Sequence, residues 1–209
     1  MMQRLHSTFF APLIIIYTRY LLGGAMVFAS FIKIKGQRFT STSGESSPIG
    51  TYLHFFETLY QSGWYWQFLG LGQLIGGALL MTQRYSRAGA LLVFGIMVNI
   101  FVITISIDFN YTPIITGMML LASVLLLLWD RGIIAFLLNR PTHGLQLGSV
   151  EQSLVWTVTG CALLLFTSVY RLAVDRYNFF FWALGCIGIG LLGLMSFLHI
   201  SKGRYKSSS

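Results

Sequence analysis

The chain has 209 residues, 55% of them hydrophobic and 10% charged, with a formal charge of +8. A soluble domain carries about a quarter charged residues, so this composition excludes a water-soluble globule and requires lipid to take up apolar surface. The basic excess, 14 Lys and Arg against 6 Asp and Glu, sits mostly at the ends of apolar runs, where it meets headgroups. It forms no aromatic-interleaved stripe of the nucleic-acid-binding kind, so no nucleic-acid partner is expected.

A helix crosses the hydrocarbon layer in about 20 residues. Six runs approach that length: 9–32, 64–82, 88–107, 112–129, 153–171 and 178–200. The first is too long for a signal peptide and lacks a small-x-small cleavage site, so it reads as a retained anchor. Between the first two runs, "GQRFTSTSGESSPIG" is a polar loop. Residues 49–63 then form an amphipathic segment at the outer face, with Leu53, Phe56, Leu59 and Tyr60 at helical spacing and His54, Glu57 and Gln61 on another side. Trp64, Tyr65 and Trp66 continue it as an aromatic belt. Only "DFNYT" separates the third and fourth runs, a link short enough for an antiparallel hairpin.

The expected fold is all-α and polytopic. Residues 1–130 form a four-helix up-down bundle, 131–152 a cytoplasmic linker, and 153–209 a two-helix hairpin with a basic tail. With both termini inside, the inner face holds Arg4, Arg84, Arg87, Arg131, Arg140, Lys202, Arg204 and Lys206. The outer face holds Lys33, Lys35, Arg38, Arg171 and Arg176. This bias favours N-in/C-in. Small residues permit close helix contact in lipid: Gly72 and Gly76 in the second run, Ala183, Cys186, Gly190 and Gly193 in the sixth, and Gly23 one turn from Arg19 in the first.

Arg19, Gln73 and Asn99 each fall near the middle of their run. Three successive helices would thus supply one polar side chain at one level. A guanidinium at that depth costs at least ~2.5–3.5 kcal/mol, so it must face inward and find acceptors, among them carbonyls beside Gly23. No carboxylate occupies that level in the neighbouring runs. Asp108 lies further out, and Glu57 reaches the layer only if its helix dips. The expectation is a ligand site built from Arg19, Gln73, Asn99 and Gly23, with Glu57 and Asp108 as secondary candidates, where an uncompensated cation attracts an anion or a quinone carbonyl. The alternative is a saturated arginine that fixes helix register. His6, His54, His143 and His199 lie outside or at the ends of runs, so no haem ligation is expected. Cys161 and Cys186 form no CxxC, and no metal, P-loop or hydrolase motif occurs.

Residues 10–130 resemble the DoxX family of bacterial membrane proteins. The likeness rests on "TRYLLGGAMVFASFIKI", "GLGQLIGGALLMTQRYSRAGALL" and "MVNIFVITISIDF", and within them on Arg19, Gly76, Gly77, Arg84, Arg87 and Gly89. The family often has Glu where this chain has Gln73, and a His near the outer end of the third span that is missing here. The resemblance implies a bacterial inner (plasma) membrane location and an accessory subunit that is not catalytic by itself. Such a subunit would bind quinone or lipid, dock an oxidoreductase partner, carry no covalent cofactor, and be open to oligomer formation. The rival expectations are a small transporter or export-assistance protein and a structural anchor. A lateral opening to lipid would favour a quinone or lipid role, an aqueous path to both faces a transporter, and a closed bundle with Arg19 saturated an anchor.

Overall fold

A computed structural model describes residues 10–130, 132, 135, 150–174 and 178–206, the last five by backbone only. Arg4, His6, Arg131, Arg140, His143, Arg176 and most of the expected linker lie outside the described residues. Among those described there are seven α-helices and no strand: α1 (Phe10–Ile34), α2 (Tyr52–Gln61), α3 (Trp64–Met81), α4 (Ser86–Ser106), α5 (Thr112–Trp129), α6 (Leu154–Ala173) and α7 (Phe179–Lys206). α1 and α4 to α7 are long and apolar enough to cross a membrane, which makes the chain a multi-pass membrane protein. α3 matches α5 in length, but Gln67, Gln73 and the Trp64–Trp66 aromatics dilute its apolar character.

α1 is the hub. It packs most extensively on α3, and also touches α5 and α6. α3, α4 and α5 follow as successive antiparallel neighbours, and α6 and α7 form a hairpin against the α1 side. The α1–α3 seam is built from glycine. A Cβ at Gly77 would lie 2.6 Å from the Gly23 carbonyl oxygen, and one at Gly70 would lie 2.9 Å from that of Ser30. Backbones this close need residues without side chains. The pairings of 23 with 77 and 30 with 70 also show that the helices run antiparallel. α6 crosses the end of α3 equally tightly, with Gly160 against the Met81 carbonyl. On α7, the Gly190 carbonyl accepts the Tyr17 hydroxyl at 2.8 Å, and Gly193 faces Thr159. The glycine strip of the last helix therefore faces α1 and α6.

Local sequence explains the breaks. Thr51 caps α2, its hydroxyl accepting the His54 N–H at 3.4 Å. Gly63, at φ 59°, takes the left-handed turn that starts α3 directly after α2. Pro113 opens α5, where a missing N–H costs nothing. Asp108 and Asn110, at φ 44° and 45°, make the tight α4–α5 turn, a conformation these two side chains tolerate.

The seam yields a test. Gly77→Val forces a branched side chain into the Gly23 carbonyl and should cost about 1–3 kcal/mol, the usual range for overpacking. Gly24→Ala meets nothing within 4 Å and should be neutral or stabilising by up to about 1 kcal/mol through helix propensity. Unfolding of the purified variants in detergent measures both; equal effects would exclude the close α1–α3 approach.

Candidate functional site

The residues expected to share one polar layer separate into two places. The α1–α3 register sets Gln73 level with Val27, about 12 Å along α1 from Arg19. Arg19 instead lies at the opposite end of the bundle from α2, beside the turn after α3. Its Nη1 donates to Gln83 Oε1 at 3.0 Å, and its Nη2 pairs with Glu151 Oε1 at 3.1 Å. Both side chains of the ion pair are buried, at 4% and 1% exposure. Trp129 Nε1 also donates to Glu151 Oε1, at 3.2 Å. The expectation of an uncompensated guanidinium is thus corrected. Its counter-ion arrives from the turn before α6, at the end of the 131–152 segment expected to be cytoplasmic linker. The mid-run estimate failed because α1, with 25 residues, is longer than the 18-residue α3, so matching midpoints did not match depths.

Nearby, Arg87 Nε donates to Asp130 Oδ2 at 2.6 Å, tying α4 to the end of α5. Tyr20 donates its hydroxyl to the Trp156 carbonyl. These contacts tie the Glu151 end of the bundle together, although Glu151 Oε2 and Gln83 Nε2 are buried there without a partner. Breaking a buried pair by removing one partner costs about 3–5 kcal/mol, because the other charge stays buried alone. Glu151→Ala should therefore destabilise the protein by about that amount. The double replacement Arg19→Met with Glu151→Leu should recover most of the loss. Thermal unfolding in detergent checks this, and a neutral Glu151→Ala would exclude the pair.

A cavity of about 640 Å³ lies at the other end, within the range of about 300–1,000 Å³ typical of ligand sites. α1 gives it Ala25, Met26, Ala29 and Lys33, and α3 gives Trp66, Leu69, Gly72 and Gln73. α4 contributes Gly95, Ile96 and Asn99, and α5 contributes Thr112, Thr116 and Met119. α2 roofs it with Phe55, Phe56 and Leu59. The roof rests on aromatic contacts: Tyr52 stacks on Phe109 at 4.5 Å between centroids, and Phe56 meets Phe39 at 4.9 Å. Of the exposed lining residues, Tyr65, Phe68, Leu92, Gly95 and Asn99 lie on α3 and α4 and Phe39 on the 36–50 loop, so the mouth opens sideways, mainly between these two helices. A Cβ at Gly95 would meet nothing within 4 Å. Towards the Glu151 end, Leu22, Leu80, Val93 and Leu126 pack into a solid core and floor the cavity.

Two of the expected site residues line this cavity. Gln73 is 5% exposed, and its Oε1 has no hydrogen-bond partner. Asn99 stands exposed at the mouth. Gly23 is a packing residue of the α1–α3 seam. Asp108 is exposed in the α4–α5 turn, and its neighbour Phe109 reaches the cavity. Glu57, placed on a separate polar side of α2 by spacing, is buried beneath the 36–50 loop. There it accepts Arg38 Nε at 3.0 Å and the Gly44 N–H at 3.1 Å. Sequence reasoning missed Lys33, which at the end of an apolar run reads as a headgroup anchor. It is 8% exposed, lines the cavity, and points its ammonium at the rings of Phe39 and Trp66, 5.4 and 5.1 Å from their centroids. Among the described residues no cluster of His, Cys, Asp or Glu could hold a metal ion.

The Arg38 hydrogen bond and the Gly44 N–H hold the Glu57 carboxyl below the usual glutamate range. A group whose folded pKa is depressed contributes stability above its unfolded pKa, near about 4.3 for glutamate, and loses it as pH falls through the lower folded value. Acidification through that window should therefore loosen α2 and the 36–50 loop before the rest of the bundle. Amide exchange across 36–61 reads this out. Glu57→Gln should show the looser behaviour already at neutral pH.

Comparisons with family models, curated proteins and solved structures return no match to this chain.

Proposed function

We propose that the chain is an accessory membrane subunit that holds a quinone-like or lipid molecule in the cavity beneath α2 and docks an oxidoreductase. One observation carries this reading. An apolar chamber of ligand size, with an unpartnered buried amide in its wall, opens sideways between α3 and α4. A lateral mouth admits a molecule already dissolved in the bilayer, without a passage through water. Exposed apolar residues around it, such as Phe68 and Leu92, are surfaces that lipid covers. A binding role needs no catalytic group, and the mostly apolar wall suits a hydrophobic guest.

Within this proposal α3 is a sixth span, α2 lies at the outer face of a bacterial inner membrane, and both termini are inside. The oxidoreductase partner rests on the DoxX-like character of residues 10–130 alone. Export through the bundle is less well supported, because the floor of Leu22, Leu80, Val93 and Leu126 would have to part. A plain anchor accounts for the saturated Arg19 but leaves the chamber without a role.

An azido-quinone added to membranes should label α2, α3 and α4 peptides that line the cavity. Gly95→Trp places a bulky ring in the mouth, where the backbone has open space. It should leave folding intact and reduce labelling about tenfold or more. Labelling that is unchanged by this variant, or that falls outside the cavity, would overturn the reading.

A further inference from the structure

We infer that the cavity takes a single-chain lipid with an anionic head, the head seated on Lys33 and a hydroxyl behind it hydrogen-bonded to the Gln73 amide. This deepens the proposed site and rests on that reading.

Lys33 is the cavity's own cation. An ammonium has three donors, and one of them goes to the Ala29 carbonyl oxygen at 3.1 Å. The two aromatic rings solvate the charge without cancelling it. Among the described residues no carboxylate pairs with Lys33. Glu57, on the neighbouring roof helix, is fully engaged by Arg38 and Gly44. A buried ammonium with no counter-ion in an apolar wall favours an anionic guest over a neutral one.

Gln73 supplies the second, independent requirement. Its side chain lines the same chamber, its Oε1 has no hydrogen-bond partner, and a buried polar group is costly to leave unpaired. By the α1–α3 register it lies about 9 Å deeper than Lys33 along the helix axis. A guest that suits both residues carries an anion and, further in, a hydroxyl, which can donate to the amide or accept from it. Size then limits the number of chains. At about 30 Å³ per water-sized group, 640 Å³ holds roughly twenty such groups. That is about the size of one acyl chain, its end leaving through the α3–α4 mouth, so a single-chain guest is the one proposed.

Full-length protein in phosphatidylcholine nanodiscs can be titrated with four probes: lysophosphatidic acid, which has phosphate and hydroxyl; palmitate, which has carboxylate alone; methyl palmitate, which has neither; and decylubiquinone. Lysophosphatidic acid should bind tightest and palmitate next, with methyl palmitate about tenfold or more weaker than palmitate. Lys33→Met should remove the advantage of both anions, and Lys33→Arg should keep it. Gln73→Leu should remove only the advantage of lysophosphatidic acid over palmitate. Thermal unfolding of each variant confirms that it is folded, and Lys33→Arg keeps the test decisive if Lys33→Met is not. Equal binding of palmitate and its methyl ester, or anion binding that survives Lys33→Met, overturns the inference. If palmitate binds in the Lys33-dependent way and lysophosphatidic acid gains nothing over it, the hydroxyl at Gln73 is wrong and the inference as stated falls. If decylubiquinone binds and the anions do not, the inference fails while the site stands. If no probe binds, both fail.

Discussion

Close approach of α1 and α3 through facing glycines is the constraint on which the rest of the molecule depends. In lipid there is no hydrophobic gain from bringing helices together, so contact area must come from backbones allowed to touch. Gly23, Gly70 and Gly77 provide it, each with a neighbouring carbonyl where a Cβ would have to stand. The same residue type does the opposite on the other side of α3. Gly72 and Gly95 also lack side chains, but nothing is packed into the space they leave: one has a single neighbour at 4.0 Å and the other has none within 4 Å. Facing glycines seal the seam, and unfaced glycines leave a chamber. The site is thus a consequence of where small residues have partners and where they do not.

The two buried cations of α1 are handled differently, and the chemistry of their side chains explains how. Arg19 presents a planar fork, and two of its nitrogens are taken up at fixed angles by Gln83 and Glu151. Such an arrangement is rigid and closed, and it anchors the turn before α6 to the hub helix. Lys33 is a point charge on a flexible stem, held by a carbonyl of its own helix and by ring faces. That arrangement leaves donors to spare. One cation therefore serves cohesion at the Glu151 end, and the other faces open volume at the α2 end.

The roof completes the asymmetry. α2 is short, and a ten-residue helix has little stability of its own in water. It is held by ring contacts to Phe109 and Phe39 and by the Glu57 clamp to Arg38 and Gly44. These contacts are few beside those of the long helices, which makes α2 the element whose detachment costs least. A chamber with a solid floor, a side mouth and a lightly held roof is closed towards the Glu151 end and open at its side.

Much of the architecture was legible in the residues. Apolar runs bounded by turn residues located the long helices, since a span needs about 20 apolar residues whatever surrounds it. The spacing of Phe56 and Leu59 marked α2 as two-sided, and Gln73 stood out as a polar side chain at the middle of an apolar run. Depth was not legible, because it depends on how helices of unequal length slide past one another, and the glycine seam sets that register. The partner of Arg19 was hidden for the same kind of reason: Glu151 is distant in sequence and sits in a turn with no periodicity to aim it. The burial of Glu57 was hidden because spacing describes one helix, whereas the loop that buries it folds back from 36–50. The sequence by itself determined which segments must leave water. Only the tertiary structure decided which charge meets its opposite and which faces a void, because pairing is fixed by contacts between remote segments.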